Sequence, residues 1–254
     1  MRVALLSLLL CLAGCKAAPP EPLRVAAAAD LAHAFAELGP AFDAQAPVNL
    51  KLTLGSTGLL ARQITQGAPF DLFLAANVSY VDQVVKAGAC DGRTVKTYAR
   101  GRLVIWTKGA GGAELTPASL RDARFKHIAI ANPEHAPYGK AARDALTRAG
   151  VWERVSERLV YGENVQQTFE LAQSGNADVA IVGLSLAIGS PSGTWSMIDE
   201  ASYAPIDQAL VVCTRGTNEA AARRLAAFVS APEGRAILRK FGFLMPGEAW
   251  ALAP

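Results

Sequence analysis

Residues Val48 to Ala76 read VNLKLTLGSTGLLARQITQGAPFDLFLAA. Val48–Leu54 alternates apolar and polar residues with period two, the pattern of a half-buried strand. Gly55-Ser56-Thr57-Gly58 then turns the chain into a helical stretch, Gly58–Gln66, which Gly67 and Pro69 stop. Asp71–Ala75 (DLFLA) reads as a second strand. Strand, helix and strand in so short a stretch is the unit from which parallel sheets with right-handed crossovers are built.

The same alternation runs outward in both directions. Before it, Arg24–Ala28 is strand-like, and Leu31–Gln45 places Leu31, Phe35, Leu38 and Phe42 on one helical face. After it, strands are expected at Leu103–Thr107, His127–Ala131, Leu159–Tyr161, Val179–Val182 and Ala209–Cys213. Helices are expected at Val78–Ala87, around Leu120–Arg121, and at Lys140–Ala149, Val165–Ser174, Glu219–Ser230 and Pro232–Phe241. The fold class is therefore α/β. No Pro/Gly-rich linker divides the chain, so two lobes require it to cross between them twice.

Composition narrows the function. The 254 residues are 51% hydrophobic and 19% charged, which excludes a disordered chain. A net charge of +3, evenly spread, excludes a nucleic-acid partner. Catalytic signatures are missing. Gly183-Leu184-Ser185-Leu186-Ala187 lacks the last glycine of a nucleophile elbow. Gly139-Lys140 is preceded by Glu134 and followed by Ala141 where a phosphate loop needs Gly and Ser or Thr. His33, His127 and His135 have no metal-ligand spacing. No cofactor, no metal ligands and no enzyme are expected; a hydrolase using carboxylates from distant segments is the remaining catalytic alternative.

Residues 2–14 (RVALLSLLLCLAG) carry one positive charge and then an apolar run too short to span a bilayer, as in a secretory signal peptide. The run ends in Leu12-Ala13-Gly14-Cys15, which resembles the lipobox of bacterial lipoproteins. That resemblance implies cleavage before Cys15 and acylation of its thiol, a lipid anchor. Residues 15–22 follow as the acylated Cys and a Pro-rich tether. An ordinary signal with Cys15 incidental is the alternative. For Cys90 and Cys213 an envelope compartment permits a disulfide, but nothing in the spacing argues for one, and two unpaired, partly buried thiols are expected.

Four strand-to-helix junctions carry small or hydroxyl residues: Ala26 to Leu31, Leu54 to Leu59, Ala136 to Lys140, and Gly162 to Val165. Helix N-termini expose unpaired N–H groups and partial positive charge. In open α/β sheets, ligands bind beyond the carboxyl ends of strands. Several such ends facing one cleft make an anion site without Arg or Lys. Singly, each junction has a plainer reading: Asp30 as an N-cap, Gly55 to Gly58 as a turn, Tyr138 and Val165 as packing residues.

Val25 to Leu31 (VAAAADL), Gly55 to Ile64 (GSTGLLARQI), Gly67 to Ala76 (GAPFDLFLAA), Asn132 to Ala142 (NPEHAPYGKAA), Gly162 to Val165, Ala177 to Gly183 and Lys240 to Phe243 together resemble the periplasmic molybdate-binding proteins of ABC transporters. The resemblance implies a class II periplasmic-binding-protein fold, two α/β lobes with a hinge and an interlobe cleft. Residues 23–106 and 207–254 would form lobe 1, and 107–206 lobe 2. It places oxyanion binding at Ala29 or Asp30, Ser56, Thr57, Tyr138 and Val165. A hydroxyl residue is usual at the first position, and Ala29 or Asp30 replaces it. A tyrosine that some members carry near Ile181-Val182 is replaced by Gly183, with Tyr138 as compensation and its hydroxyl as a lid or donor. The implied ligand is molybdate or tungstate. The implied partners are an ABC permease in the inner membrane and, through Cys15, the membrane itself. The expected form is a monomer on the periplasmic side of the cell envelope. An ionised Asp30 would repel a dianion, so phosphate or sulfate on the same fold is the alternative.

Overall fold

The computed structural model describes residues 21–109 and 114–248. Its strands are β1 (Leu23–Ala28), β2 (Leu50–Gly55), β3 (Leu72–Ala75), β4 (Lys96–Gly101), β5 (Leu103–Thr107), β6 (Ile128–Ala131), β7 (Leu159–Gly162), β8 (Val179–Gly183), β9 (Thr194–Met197) and β10 (Ile206–Val212). Its helices are α1 (Ala32–Gln45), α2 (Thr57–Thr65), α3 (Val78–Lys86), α4 (Pro137–Arg148), α5 (Trp152–Val155), α6 (Val165–Gln173), α7 (Leu184–Ile188), α8 (Glu219–Ser230) and α9 (Pro232–Lys240). They build two five-stranded sheets, ordered β2-β1-β3-β10-β4 and β7-β6-β8-β5-β9.

Each sheet is half parallel. β1 pairs in parallel with β2 and β3, and β6 with β7 and β8. β10 and β5, the strands next to the interlobe crossings, run antiparallel to their neighbours. The all-parallel expectation fails there because a strand arriving from the other lobe enters its sheet from the opposite end. β4 and β9 are exposed or half-polar in sequence, and the apolar pattern does not mark them.

The lobe boundary also moves. The expected boundary after residue 106 leaves Leu103–Trp106 in lobe 1, but all of β5 lies in the second sheet, paired with β8 and β9. The crossing is the single residue Arg102, whose Nε donates to the Gly242 carbonyl at 2.7 Å. An apolar run such as LVIWT suits either core, so pattern alone does not place it. In lobe 2 it supplies Trp106, fully buried and edge-on to Phe169 with ring centroids 5.0 Å apart. The return to lobe 1 is β10, which begins at Ile206.

Cys90 and Cys213 are disulfide-bonded, which overturns the expectation of two free thiols. They face each other in an isolated antiparallel bridge beyond the end of β10. The pairing depends on β10 returning beside β3, and a sequence separation of 123 conceals it. A structural disulfide belongs to an oxidising compartment. The Cys90→Ala/Cys213→Ala double variant should lose about 2–4 kcal/mol of unfolding free energy, because a long loop is no longer closed in the unfolded chain. Urea titration without reductant measures it; an unchanged midpoint and slope would contradict the role.

Candidate functional site

The pairing registers bring four strand ends together. Ala28 lies beside Gly55 at the ends of β1 and β2, and Ala131 beside Gly162 at the ends of β6 and β7. β1 runs into a 3-10 turn, Ala29–Leu31, and β2 passes through Ser56 into α2. On the other lobe β6 leads through a short loop into α4, and β7 through Asn164 into α6. One small pocket, with a cavity volume of about 10 Å³, lies among these turns. Ala29, Asp30, Ser56 and Thr57 line it from lobe 1, and Tyr138 and Val165 from lobe 2. All six sequence candidates therefore share one pocket, although each is buried in residue terms. Among the described residues that line it there is no Lys, Arg or His, and Asp30 is the single acid.

First helical turns line the pocket, and their N–H groups have no partner inside their own helix. Thr57 is the first residue of α2 and Val165 the first of α6. Asn164 caps α6, its Oδ1 accepting from the Gln167 N–H at 3.0 Å. The sequence reading started α4 at Lys140, but the helix begins at Pro137. Proline suits the first position and carries no N–H, so Tyr138 supplies the first main-chain donor of that helix. Thr57 Oγ1 accepts from the Ala76 N–H at 3.1 Å, which leaves its own hydroxyl proton to donate.

The Ser56 side chain is engaged across the two lobes. Its Oγ donates to the His135 carbonyl at 2.7 Å, with His135 Nδ1 at 2.8 Å. The Gly58 N–H donates to the same carbonyl at 2.9 Å. A Cβ on Gly58 would stand 2.7 Å from that oxygen, so the lobes can approach here only at glycine. The Ser56 hydroxyl thus ties lobe 1 to lobe 2, and its main-chain N–H is what remains for a ligand.

Asp30 is not an N-cap. It sits in the middle of the 3-10 turn, fully buried. Its Oδ2 accepts from the Tyr138 hydroxyl at 2.9 Å and from Gln208 Nε2. Gln208 Oε1 in turn accepts from the Tyr98 hydroxyl at 2.6 Å, and Ser185 Oγ donates to the Asp30 carbonyl at 2.7 Å. Asp30 Oδ1 has no partner. Burial pushes the Asp30 carboxyl up to about 6, against the opposing pull of the Gln208 and Tyr138 hydrogen bonds. Burial and the nearby Asp30 charge hold the Tyr138 and Tyr98 hydroxyls well above the usual phenol range, so both stay protonated donors.

Tyr138 consequently acts differently from a lid. Its hydroxyl is turned to Asp30, and its ring fits against Gly101 and Gly183 at the interlobe strands. A Cβ on Gly101 would collide with the Tyr138 hydroxyl, and one on Gly183 would stand 3.0 Å from the ring. Gly183 therefore makes room for Tyr138. Gln208, Tyr98, Ser185 and His135 were not singled out as site residues. The legible signal was Gln208, an amide within the apolar run of β10 and fully buried.

The family model for bacterial extracellular solute-binding proteins matches residues 23–244. The molybdate-binding protein ModA of Rhodobacter capsulatus is 35% identical over 219 residues, 86% of each chain. The protein of the same name from Escherichia coli K12 is 28% identical over 237 residues, covering 91% of this chain and 92% of its own. Among solved structures, the periplasmic molybdate-binding protein of Azotobacter vinelandii superposes with a TM-score of 0.83 at 28% identity. That match covers 88% of this chain and 99% of the other.

Proposed function

The chain belongs to the bacterial extracellular solute-binding proteins, and from that membership we propose that it captures molybdate or tungstate and delivers it to the permease of an ABC transporter. The observation that carries this reading is a pocket lined from both lobes by hydroxyl residues and first-turn residues, with no Lys or Arg among the described residues that line it. Molybdate at neutral pH is a dianion that accepts hydrogen bonds and donates none. It is matched by groups that donate: the N–H groups of Thr57, Tyr138 and Val165 and the Thr57 hydroxyl. Neutral donors at fixed positions select by size, because metal–oxygen bonds demand a wider shell than those of sulfate or phosphate. The relatives are named as molybdate-binding proteins and the family as solute-binding, and the chain is read as a binding protein and not an enzyme.

Because the donors come from opposite lobes, a ligand between them favours the closed arrangement, and hinge motion at Arg102 and at the start of β10 releases it. A hydrolase would need a second carboxylate, and Asp30 stands alone among the lining residues. The buried Asp30, with one oxygen unpartnered, favours as second reading an oxyanion that carries a proton, such as hydrogen phosphate.

The N-terminal features, residues 1–14 and Cys15, lie outside the described residues. The family description supports a location outside the cytoplasm, and the Cys90–Cys213 disulfide fits an oxidising compartment. Acylation of Cys15, the tether of residues 15–22, and a monomeric form are part of the same proposal.

A thermal-shift panel of molybdate, tungstate, sulfate and phosphate should give its largest shifts with molybdate and tungstate; a larger shift with phosphate or sulfate favours the second reading. In calorimetry Thr57→Ala should weaken molybdate binding by about 1.5–3 kcal/mol, the range for a hydrogen bond to a charged group. Unchanged affinity contradicts the role given to Thr57. Cys15→Ser should move the protein from the membrane fraction to the soluble one; unaltered membrane association contradicts the anchor.

A further inference from the structure

We propose that the Asp30 carboxyl, buried in the pocket wall with one oxygen unpartnered, takes up a proton as the oxyanion enters, so that the protein binds the anion and a proton together. The inference rests on the reading of this pocket as an oxyanion site.

Its basis is geometric. Asp30 lines the same pocket as Thr57, Tyr138 and Val165, and it is 0% exposed. Both of its side-chain hydrogen bonds fall on Oδ2, and both come from neutral groups, the Tyr138 hydroxyl and the Gln208 amide. Oδ1 is buried without a partner. Among the described residues, a carboxylate so placed has no cation among its hydrogen-bond partners to offset a dianion brought beside it. A carboxylic acid has no such conflict, and the oxygen with room for the proton is Oδ1. The proton comes from solvent, so the loaded protein gains the dianion and one proton together.

The surroundings leave this role to Asp30. From β4 it is faced by Tyr98, from α4 by Tyr138, from β10 by Gln208 and from α7 by Ser185. Beyond Tyr138 lie Tyr203, Arg102 and Glu200, which act on one another. His33 of α1 packs against Phe241 and Gly189. His135 faces Ser56. The free carboxyl titrates at about 6 because burial opposes its charge. A dianion raises that value further. Below about pH 6 the free protein already holds the proton, and anion binding takes up none. Above it, and up to the raised value of the loaded form, each binding event draws a proton from solvent. In that window affinity falls about tenfold per pH unit as pH rises.

The test is calorimetry of the whole protein with micromolar sodium molybdate in buffers of different ionisation enthalpy. The slope of observed enthalpy against buffer enthalpy counts protons. Uptake of about one proton per anion is expected at pH 7.5, falling towards zero at pH 5. The Asp30→Asn variant should show no uptake at either pH. Infrared difference spectra of the native protein supply a readout that needs no variant: molybdate should bring up a protonated-carboxyl band at pH 7.5. Molybdate binding with no proton uptake, uptake unchanged in Asp30→Asn, or no such band overturns this inference while leaving the oxyanion reading in place. Failure of every oxyanion to bind at any pH overturns the reading of the pocket and this inference with it.

Discussion

Under the proposed function the guest has two negative charges and no proton to give, and among the described residues on the pocket wall there is no Lys or Arg, so neutral donors must hold it. The fold is arranged around that constraint. Two parallel strand pairs, β1 with β2 and β6 with β7, end in register on opposite sides of one cleft. Each end turns at once into a helical segment, so first-turn residues of both lobes line a common pocket. Pro137 at the start of α4 and Asn164 at the start of α6 are local chemistry that serves this geometry. The apolar walls, Ala28, Ala29 and Ala76 among them, belong to the same buried cluster as the lobe 2 core. They keep water and its high dielectric away from the donors, which strengthens each hydrogen bond.

Behind the donors lies a second layer that ties the lobes at the hinge. Tyr98 on β4 precedes one crossing and Gln208 on β10 follows the other; the two strands are hydrogen-bonded neighbours. Their side chains connect to Asp30, and Asp30 to Tyr138 on lobe 2. The residues that hydrogen-bond around Asp30 and Tyr138 are thus the ones that lie next to the interlobe crossings. Ser56 and Gly58 add a second tie at the mouth, both through the His135 carbonyl.

Much of this was legible in the residues. The strand–helix–strand pattern of Val48–Ala76 identified the class, and the hydroxyl and small residues at four junctions identified the cleft. What escaped did so for physical reasons. Aspartate ahead of a helix is ordinarily a cap, and nothing local shows that Tyr138 and Gln208 will bury it. Ser56 reads as a donor until His135 is brought to it from 79 residues away. Lys140–Ala149 has the clear apolar period, so the helix seemed to start late; the turn that matters is Pro137-Tyr138-Gly139. The disulfide and the crossing at Arg102 depend on which sheet receives β10 and β5, a tertiary choice that short apolar runs leave open.

The most direct measurement is a crystal structure of the protein grown with molybdate, with diffraction recorded at the molybdenum absorption edge. The account predicts one strong anomalous peak between the first turns of α2, α4 and α6, its oxygens within hydrogen-bond distance of the Thr57, Tyr138 and Val165 N–H groups and with no Lys or Arg side chain in contact. A peak elsewhere, or an anion held at this place by a cationic side chain, would contradict it.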